Sequence, residues 1–312
     1  MKSAPPPRPV AAVWATRPER SNTLMLRVMT WISLRLGRPA GRVVLHLISA
    51  YFLLFAPTAR RASRDYLHRL HGRDAGLAAV YRHIHSFAAT IHDRLYLMNG
   101  QLDLFDVRIR GEATMAGLLD AGRGAVLLGA HLGSFEVVRT LGRRYPGVRV
   151  ALAMYEDNAR RIGAALEAAA PGAAPEIIAL GRIDAMLRIR DRLAAGCFVG
   201  VLGDRTPGAE AVRQVPLLGA PAALPLGPLR MAAMLRSPVV FMAGLYLGDN
   251  RYEIRFVPIT DFADCPAEQR EKRIADALHA YAAEIERCCR EAPYNWFNFF
   301  DFWAAPAAGP AA

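Results

Sequence analysis

The sequence predicts an α/β protein with a mostly parallel central sheet flanked by helices, preceded by an N-terminal helical segment that associates with a membrane. Three observations carry that expectation. Apolar runs at 126–130, 148–154 and 197–203 have the length of buried strands. Helix-length amphipathic patterns separate them, which is the alternation of βαβ units. An apolar stretch at 43–56 is followed at once by Arg60, Arg61, Arg64 and Arg69, the pattern of a chain resting on an anionic surface, with a solvated basic face on a soluble helical cap as the alternative.

Taken in order, 1–22 is expected to be a disordered tail, because Pro5, Pro6 and Pro7 stand where a secretory signal would have an apolar run. Residues 23–100 form a helical, membrane-associating region. Within it, an amphipathic helix over 24–36 leads through a turn at Gly37-Arg38-Pro39 to the apolar helix. That second helix carries His46, ends at Pro57 and is short of the ~20 residues an α-helical span needs, so it reads as monotopic or groove-lining, with a buried core helix as the alternative. A longer helix follows over 75–99. Its His83, His85 and His92 do not share one face as metal ligands would, so no metal site is expected there.

Residues 101–303 are expected to be the α/β core. Strands are predicted at 106–110, 126–130, 148–154, 176–180 and 197–203, and helices at 112–121, beyond Ser134 towards Leu141, and at 158–169 and 183–193. Residues 215–230 read as a long apolar loop dense in proline and glycine, a type of loop that tends to be functional. Residues 238–244 and 251–258 pair as strands, and 268–290 is a long helix. Residues 293–303 hold an aromatic cluster suited to capping the core, lining a lipid tunnel or sitting at a membrane interface. The tail 304–312 is expected to be disordered.

Charge and cysteine usage narrow the partners. With 39 Lys+Arg against 28 Asp+Glu the net charge is +11, which suits anionic lipid headgroups, an acidic carrier protein or nucleic acid. The arginines are scattered through apolar helices and no nucleic-acid-binding motif appears, so no nucleic-acid partner is expected. Cys197, Cys265, Cys288 and Cys289 show no CxxC spacing, which favours a reducing compartment and no structural zinc. Gly122-Arg-Gly124 precedes a strand and lacks a following Lys-Ser/Thr, so it is neither a dinucleotide fingerprint nor a P-loop.

The chemistry concentrates in Gly-Ala-His131-Leu-Gly-Ser134-Phe-Glu136. His131 closes an apolar strand, Ser134 is a good N-cap, and Glu136 falls in the first turn of the next helix. Across such a turn the imidazole and the carboxylate can converge. A neutral imidazole whose other nitrogen is held by a carboxylate can take a proton from a hydroxyl. The alternative is a satisfied histidine beside an ordinary first-turn acid.

This segment resembles the first block of the bacterial lipid A acyltransferase family (lauroyl and myristoyl acyltransferases), within the lysophospholipid acyltransferase-like superfamily. The family pattern is His, four residues, then Asp or Glu; commoner members have Asn-Trp where this chain has Ser134-Phe135, which points to a divergent branch. Later blocks continue the resemblance over roughly residues 20 to 303. Asp204-Arg205 follows a strand, an apolar loop runs from Gly219 to Gly227, and a Trp-bearing segment closes the chain.

The resemblance implies His131 as general base oriented by Glu136, with Ser134, Asp204 and Arg205 beside the substrate. Arg205 would face a phosphate or polar headgroup, or pair with Asp204 or Glu210. Gly219 and Gly227 would bound an acyl groove, which core packing alone would also explain. It further implies transfer of a fatty or related acyl group from an acyl-carrier-protein or coenzyme A thioester to a hydroxyl or amine of a lipid or glycolipid, with no other cofactor and no metal. The protein would lie on the cytoplasmic face of the bacterial inner membrane. No serine stands in Gly-x-Ser-x-Gly, which favours direct transfer over a covalent enzyme intermediate. The alternative from another class is a non-catalytic lipid-binding or membrane-scaffold protein using the same groove.

Overall fold

The structure is a computed structural model that describes residues 23–142, 145, 147–155, 176–182, 184–205 and 210–304, the side chains of 23–34 and 36 excepted. The helix expected over 158–169 and the tails expected over 1–22 and 305–312 lie outside the described residues.

Nine strands are described: β1 (Asp106–Arg110), β2 (Val126–Gly133), β3 (Val150–Tyr155), β4 (Glu176–Leu180), β5 (Phe198–Leu202), β6 (Val212–Leu217), β7 (Ala220–Pro225), β8 (Pro238–Tyr246) and β9 (Arg251–Asp261). Seven form one sheet in the order β1-β9-β8-β2-β5-β3-β4. All neighbours run parallel except β8 and β9, which form the expected antiparallel pair. The described helices are α1 (Thr23–Phe55), α2 (Pro57–His71), α3 (Leu77–Met98), α4 (Glu112–Asp120), α5 (Phe135–Gly142), α6 (Ala185–Ala194), α7 (Gly227–Met234) and α8 (Arg270–Glu291).

The apolar runs read as buried strands because both faces of the sheet are covered. On β2, Val126, Leu128 and Ala130 pack on one side with Tyr281 and Ile285 of α8, while Leu127 packs on the other with Val137 and Val138 of α5. Burying each such side chain stabilises the fold by about 1.5–3 kcal/mol. Continuous apolar sequence, rather than alternation, is the direct result.

One element departs from expectation. Residues 215–227 are not a loop: β6 and β7 pair as a hairpin, with Leu217 opposite Ala220. The two-residue turn is Leu218 (φ 51°) and Gly219 (φ 78°), the left-handed pair that such a tight hairpin needs. Prolines at 216, 221 and 225 hid the strand pattern; a two-stranded ribbon tolerates them because both its strands are edges. The two helices expected before residue 57 are present: the run Thr23–Phe55 breaks at Gly37 (φ 81°, ψ 173°), a conformation glycine adopts without strain.

The bent α1 is tied down by a buried carboxylate. Asp93 on α3 accepts from Arg38 Nε (2.8 Å), a guanidinium nitrogen of Arg42 (2.6 Å) and the Tyr252 hydroxyl (2.8 Å). Beyond that clamp, α1 leaves Val43, Leu47, Tyr51, Leu54 and Phe55 exposed. No single helix among the described residues is long and apolar enough to cross a membrane. Gly37–Phe55 and Pro57–His71 meet the test only as a pair, bent by 94°.

Candidate active site

Parallel pairing of β2 with β5 builds the site. The register sets Gly129 beside Leu202, so residues two positions further along each strand, His131 and Asp204, emerge side by side at the carboxyl edge. Open α/β sheets take their ligands at that edge. His131 Nδ1 lies 2.7 Å from Asp204 Oδ1, and the His131 backbone N–H donates to Asp204 Oδ2 at 3.0 Å.

β2 runs three residues past the expected break because the C-terminal segment supplies a partner. Leu132 bridges Trp296, Phe297 N–H donates to the His131 carbonyl, and Gly133 N–H donates to the Asn295 carbonyl. At Gly133 (φ 61°) a Cβ would stand 2.0 Å from the Gly244 carbonyl oxygen, so glycine is required where β2 turns into α5.

Asp204 is 1% exposed and fully engaged. Besides His131 it accepts from Trp296 Nε1 and Asn298 Nδ2, both at 3.1 Å. Burial alone would raise its carboxyl pKa. Attraction and hydrogen bonding from His131, with Arg205 nearby, outweigh that and hold the group well below the usual carboxylate range. Burial lowers the His131 pKa, Asp204 raises it and Arg205 lowers it, with a net shift downward. The imidazole is therefore neutral at pH 7, donating from Nδ1 to Asp204. Its Nε2 has no protein partner among the described residues.

His131 lines a cleft of about 350 Å³. Its walls are aromatic: Phe87 of α3 packs against Phe297 and Phe299 at ring-centroid distances of 5.1 and 5.4 Å. Ser134 and Arg205 also line it. Ser134 is 2% exposed, and its hydroxyl has no hydrogen-bond partner even though the residue precedes a helix it could cap. Arg205 donates from Nε to Asn298 Oδ1 (2.6 Å) and from a terminal nitrogen to the Phe297 carbonyl (2.9 Å), and lies over the Phe300 ring. Glu210, its other expected partner, accepts from the Tyr155 hydroxyl.

The pairing expected between His131 and Glu136 is not formed. Glu136 accepts from Arg139 Nε at 2.9 Å, a buried pair one helical turn apart. β2 extends through His131 to Gly133 before α5 begins, and Asp204 takes the imidazole instead. Gly219 and Gly227 are not in the cleft either. Gly219 sits exposed at the hairpin tip, and Gly227 opens α7 beside the Glu210 carboxylate.

Trp296 and Asn298 were missed as individual residues, although the aromatic segment carrying them was singled out. The sequence held one usable signal: two polar residues inside an aromatic run call for a buried acceptor. His83, one of the three α3 histidines, bonds Ser63 (2.8 Å) and the Trp296 carbonyl (3.0 Å), and burial lowers its pKa to about 4. It braces the same segment as a neutral ring.

A neutral imidazole backed by a buried carboxylate, set where a parallel sheet opens on an aromatic cleft, is an arrangement of an α/β fold that can accept a proton from a bound hydroxyl. The particular kind follows from comparison with known families. The bacterial lipid A biosynthesis acyltransferase model matches residues 98–304, and the chain belongs to that family. It is an acyltransferase of lipid biosynthesis that passes an acyl group to a lipid acceptor. The match begins at the last residue of α3, so α1 and α2 precede it. No curated protein matched the chain.

Proposed function

We propose that the chain transfers a fatty or related acyl group directly from a thioester, on acyl carrier protein or coenzyme A, to a hydroxyl or amine of a lipid or glycolipid. His131 Nε2 takes the acceptor's proton as its oxygen or nitrogen attacks the thioester carbonyl. The tetrahedral intermediate then collapses, breaking the carbon–sulfur bond, and the departing thiolate takes the proton back from the imidazolium. Asp204 holds the ring in the tautomer that leaves Nε2 basic and steadies the imidazolium while it exists. The unpartnered Ser134 hydroxyl is available to donate to the carbonyl oxygen as it gains charge. No cofactor beyond the thioester enters this scheme.

The observation that carries the reading is the 2.7 Å contact between His131 Nδ1 and Asp204 Oδ1 on a residue that lines the cleft. Mass spectrometry of lipids from cells with and without the gene tests it, together with purified chain assayed for thioester consumption. A lipid species should disappear with the gene, and His131→Ala should abolish its formation. Full turnover in His131→Ala would remove the base from the scheme.

The membrane-facing role belongs to α1 and α2. Val43 (68% exposed), Leu47 (72%), Tyr51, Leu54 and Phe55 recur at helical spacing, and exposed Arg61 and Arg64 follow on α2. An apolar stripe bordered by exposed arginines suits monotopic docking on an anionic inner-membrane surface from the cytoplasmic side. Flotation with vesicles tests this: binding should need anionic lipid and fall in Val43→Glu/Leu47→Glu. Equal binding by that variant would overturn the docking face.

A further inference from the structure

Among the described residues, Arg94 is a cleft-lining cation with a buried nitrogen that no neighbour satisfies. Helix α3 lines it with Phe87, Thr90, Ile91 and Arg94, a stripe at i, i+3, i+4 and i+7. Three of the four are spent on packing or a local bond: Phe87 and Ile91 are apolar, and the Thr90 hydroxyl donates to the Phe87 carbonyl at 2.8 Å. Arg94 is different. Its Nε is buried with no hydrogen-bond partner, and the residue has no ion pair among the described residues. Its neighbour Asp93, one position away, is fully occupied by Arg38, Arg42 and Tyr252 on the other side of the helix. The second arginine at the cleft, Arg205, is turned to Asn298 and the Phe297 carbonyl.

A buried Nε without an acceptor costs stability, and a bound ligand is one way such a group is satisfied. Here the ligand would be amphipathic, with an apolar chain against the aromatic walls and a charged oxygen group at Arg94. The stripe from Phe87 to Arg94 spans about 10 Å of helix, enough to separate the two parts.

We propose that Arg94 is a binding residue for a phosphate carried by a substrate, the guanidinium fork donating to its oxygens. The proposal rests on the acyltransferase reading above. Two sources share the chemistry: the phosphates of the donor's pantetheine arm and a phosphate on the lipid acceptor.

Binding to the purified full-length chain is measured with two probe pairs, each differing in phosphate. Lauroyl-coenzyme A is set against the lauroyl thioester of N-acetylcysteamine, and a lysophosphatidic acid against the corresponding monoacylglycerol. In the wild type one phosphate-bearing probe binds more tightly than its neutral partner. In Arg94→Gln that advantage falls roughly tenfold or more, and Arg94→Lys keeps part of it. A loss confined to the first pair assigns the donor phosphate; a loss confined to the second assigns the acceptor phosphate. Because the readout is a ratio within each variant, a general loss of folding cancels. An unchanged ratio for both pairs in Arg94→Gln overturns the proposal. His131→Ala assayed on the N-acetylcysteamine thioester separates the two failures: turnover that depends on His131, with no phosphate effect at Arg94, refutes the subsite while leaving the acyltransferase reading in place.

Discussion

Two buried aspartates, Asp93 and Asp204, receive similar treatment from the fold and serve different ends. Each is almost fully buried and each takes hydrogen bonds from three side chains. Asp93 is held by two arginines and a tyrosine; His92 Nδ1 lies 3.8 Å away, in a ring that burial keeps neutral. Its cluster fixes the bend of α1 against α3 and β9. Asp204 is held by a tryptophan, an asparagine and one imidazole that does titrate and whose ring lines a cleft. A buried carboxylate becomes chemistry when one of its donors can change protonation in reach of a substrate; otherwise it is a rivet.

That contrast breaks or holds under substitution. The largest expected effect is on turnover. Asp204→Asn should lower it roughly 100-fold or more, because the imidazole loses the partner that fixes its tautomer. Asp93→Asn should instead lower stability by about 3–5 kcal/mol, leaving two arginines uncompensated, while the folded fraction keeps its rate. Denaturant melts and steady-state kinetics on both variants decide this; equal kinetic losses would erase the distinction between the two sites.

A second prediction concerns pH. His131 titrates below its ordinary value of about 6.5, so the acid limb of kcat/KM should lie below that pH. Asp204 raises the His131 pKa, so its removal in Asp204→Asn should move the residual limb to still lower pH, and Asp93→Asn should leave it in place. Stability has its own sign. The Asp204 carboxyl is depressed in the folded state, so its contribution is full above about pH 4 to 5 and is lost as pH falls through the folded value. Acid unfolding of Asp204→Asn should therefore depend less steeply on pH than that of the wild type below that range.

Glu136 supplies a third, smaller test. It neutralises Arg139 inside α5, so Glu136→Gln should cost about 1–3 kcal/mol, and adding Arg139→Gln should recover part of that. A double-mutant cycle in thermal stability reads the coupling. No coupling, together with a pH limb that moves in Glu136→Gln, would return the carboxylate to His131. The smallest effect is expected at Trp296→Phe, which removes one donor to Asp204 and should cost about 1 kcal/mol and a few-fold in rate.

Much of this was legible in residues. Short apolar runs at β2, β3 and β5 announced buried parallel strands, and His131 was readable as the end of one of them because apolar sequence stops there. Asp204 was readable in the same way, as a charge just beyond a strand. What the chain order concealed is that those two ends are neighbours: β5 inserts between β2 and β3, and sequence spacing carries no information about strand order. Proximity along the chain favoured Glu136, five residues away, over Asp204, which is 73 residues away.

The sequence by itself determined the sheet's strands, the place of His131 at the end of one of them and the family resemblance, since periodicity and short motifs are local properties written into neighbouring residues. Tertiary structure alone decided which acid meets the imidazole, that residues 295–298 complete β2 and saturate Asp204, and that Arg94 is left without an acceptor. Each of those depends on strand register and on which donors a fold has already used up, and both are settled only when distant segments pack.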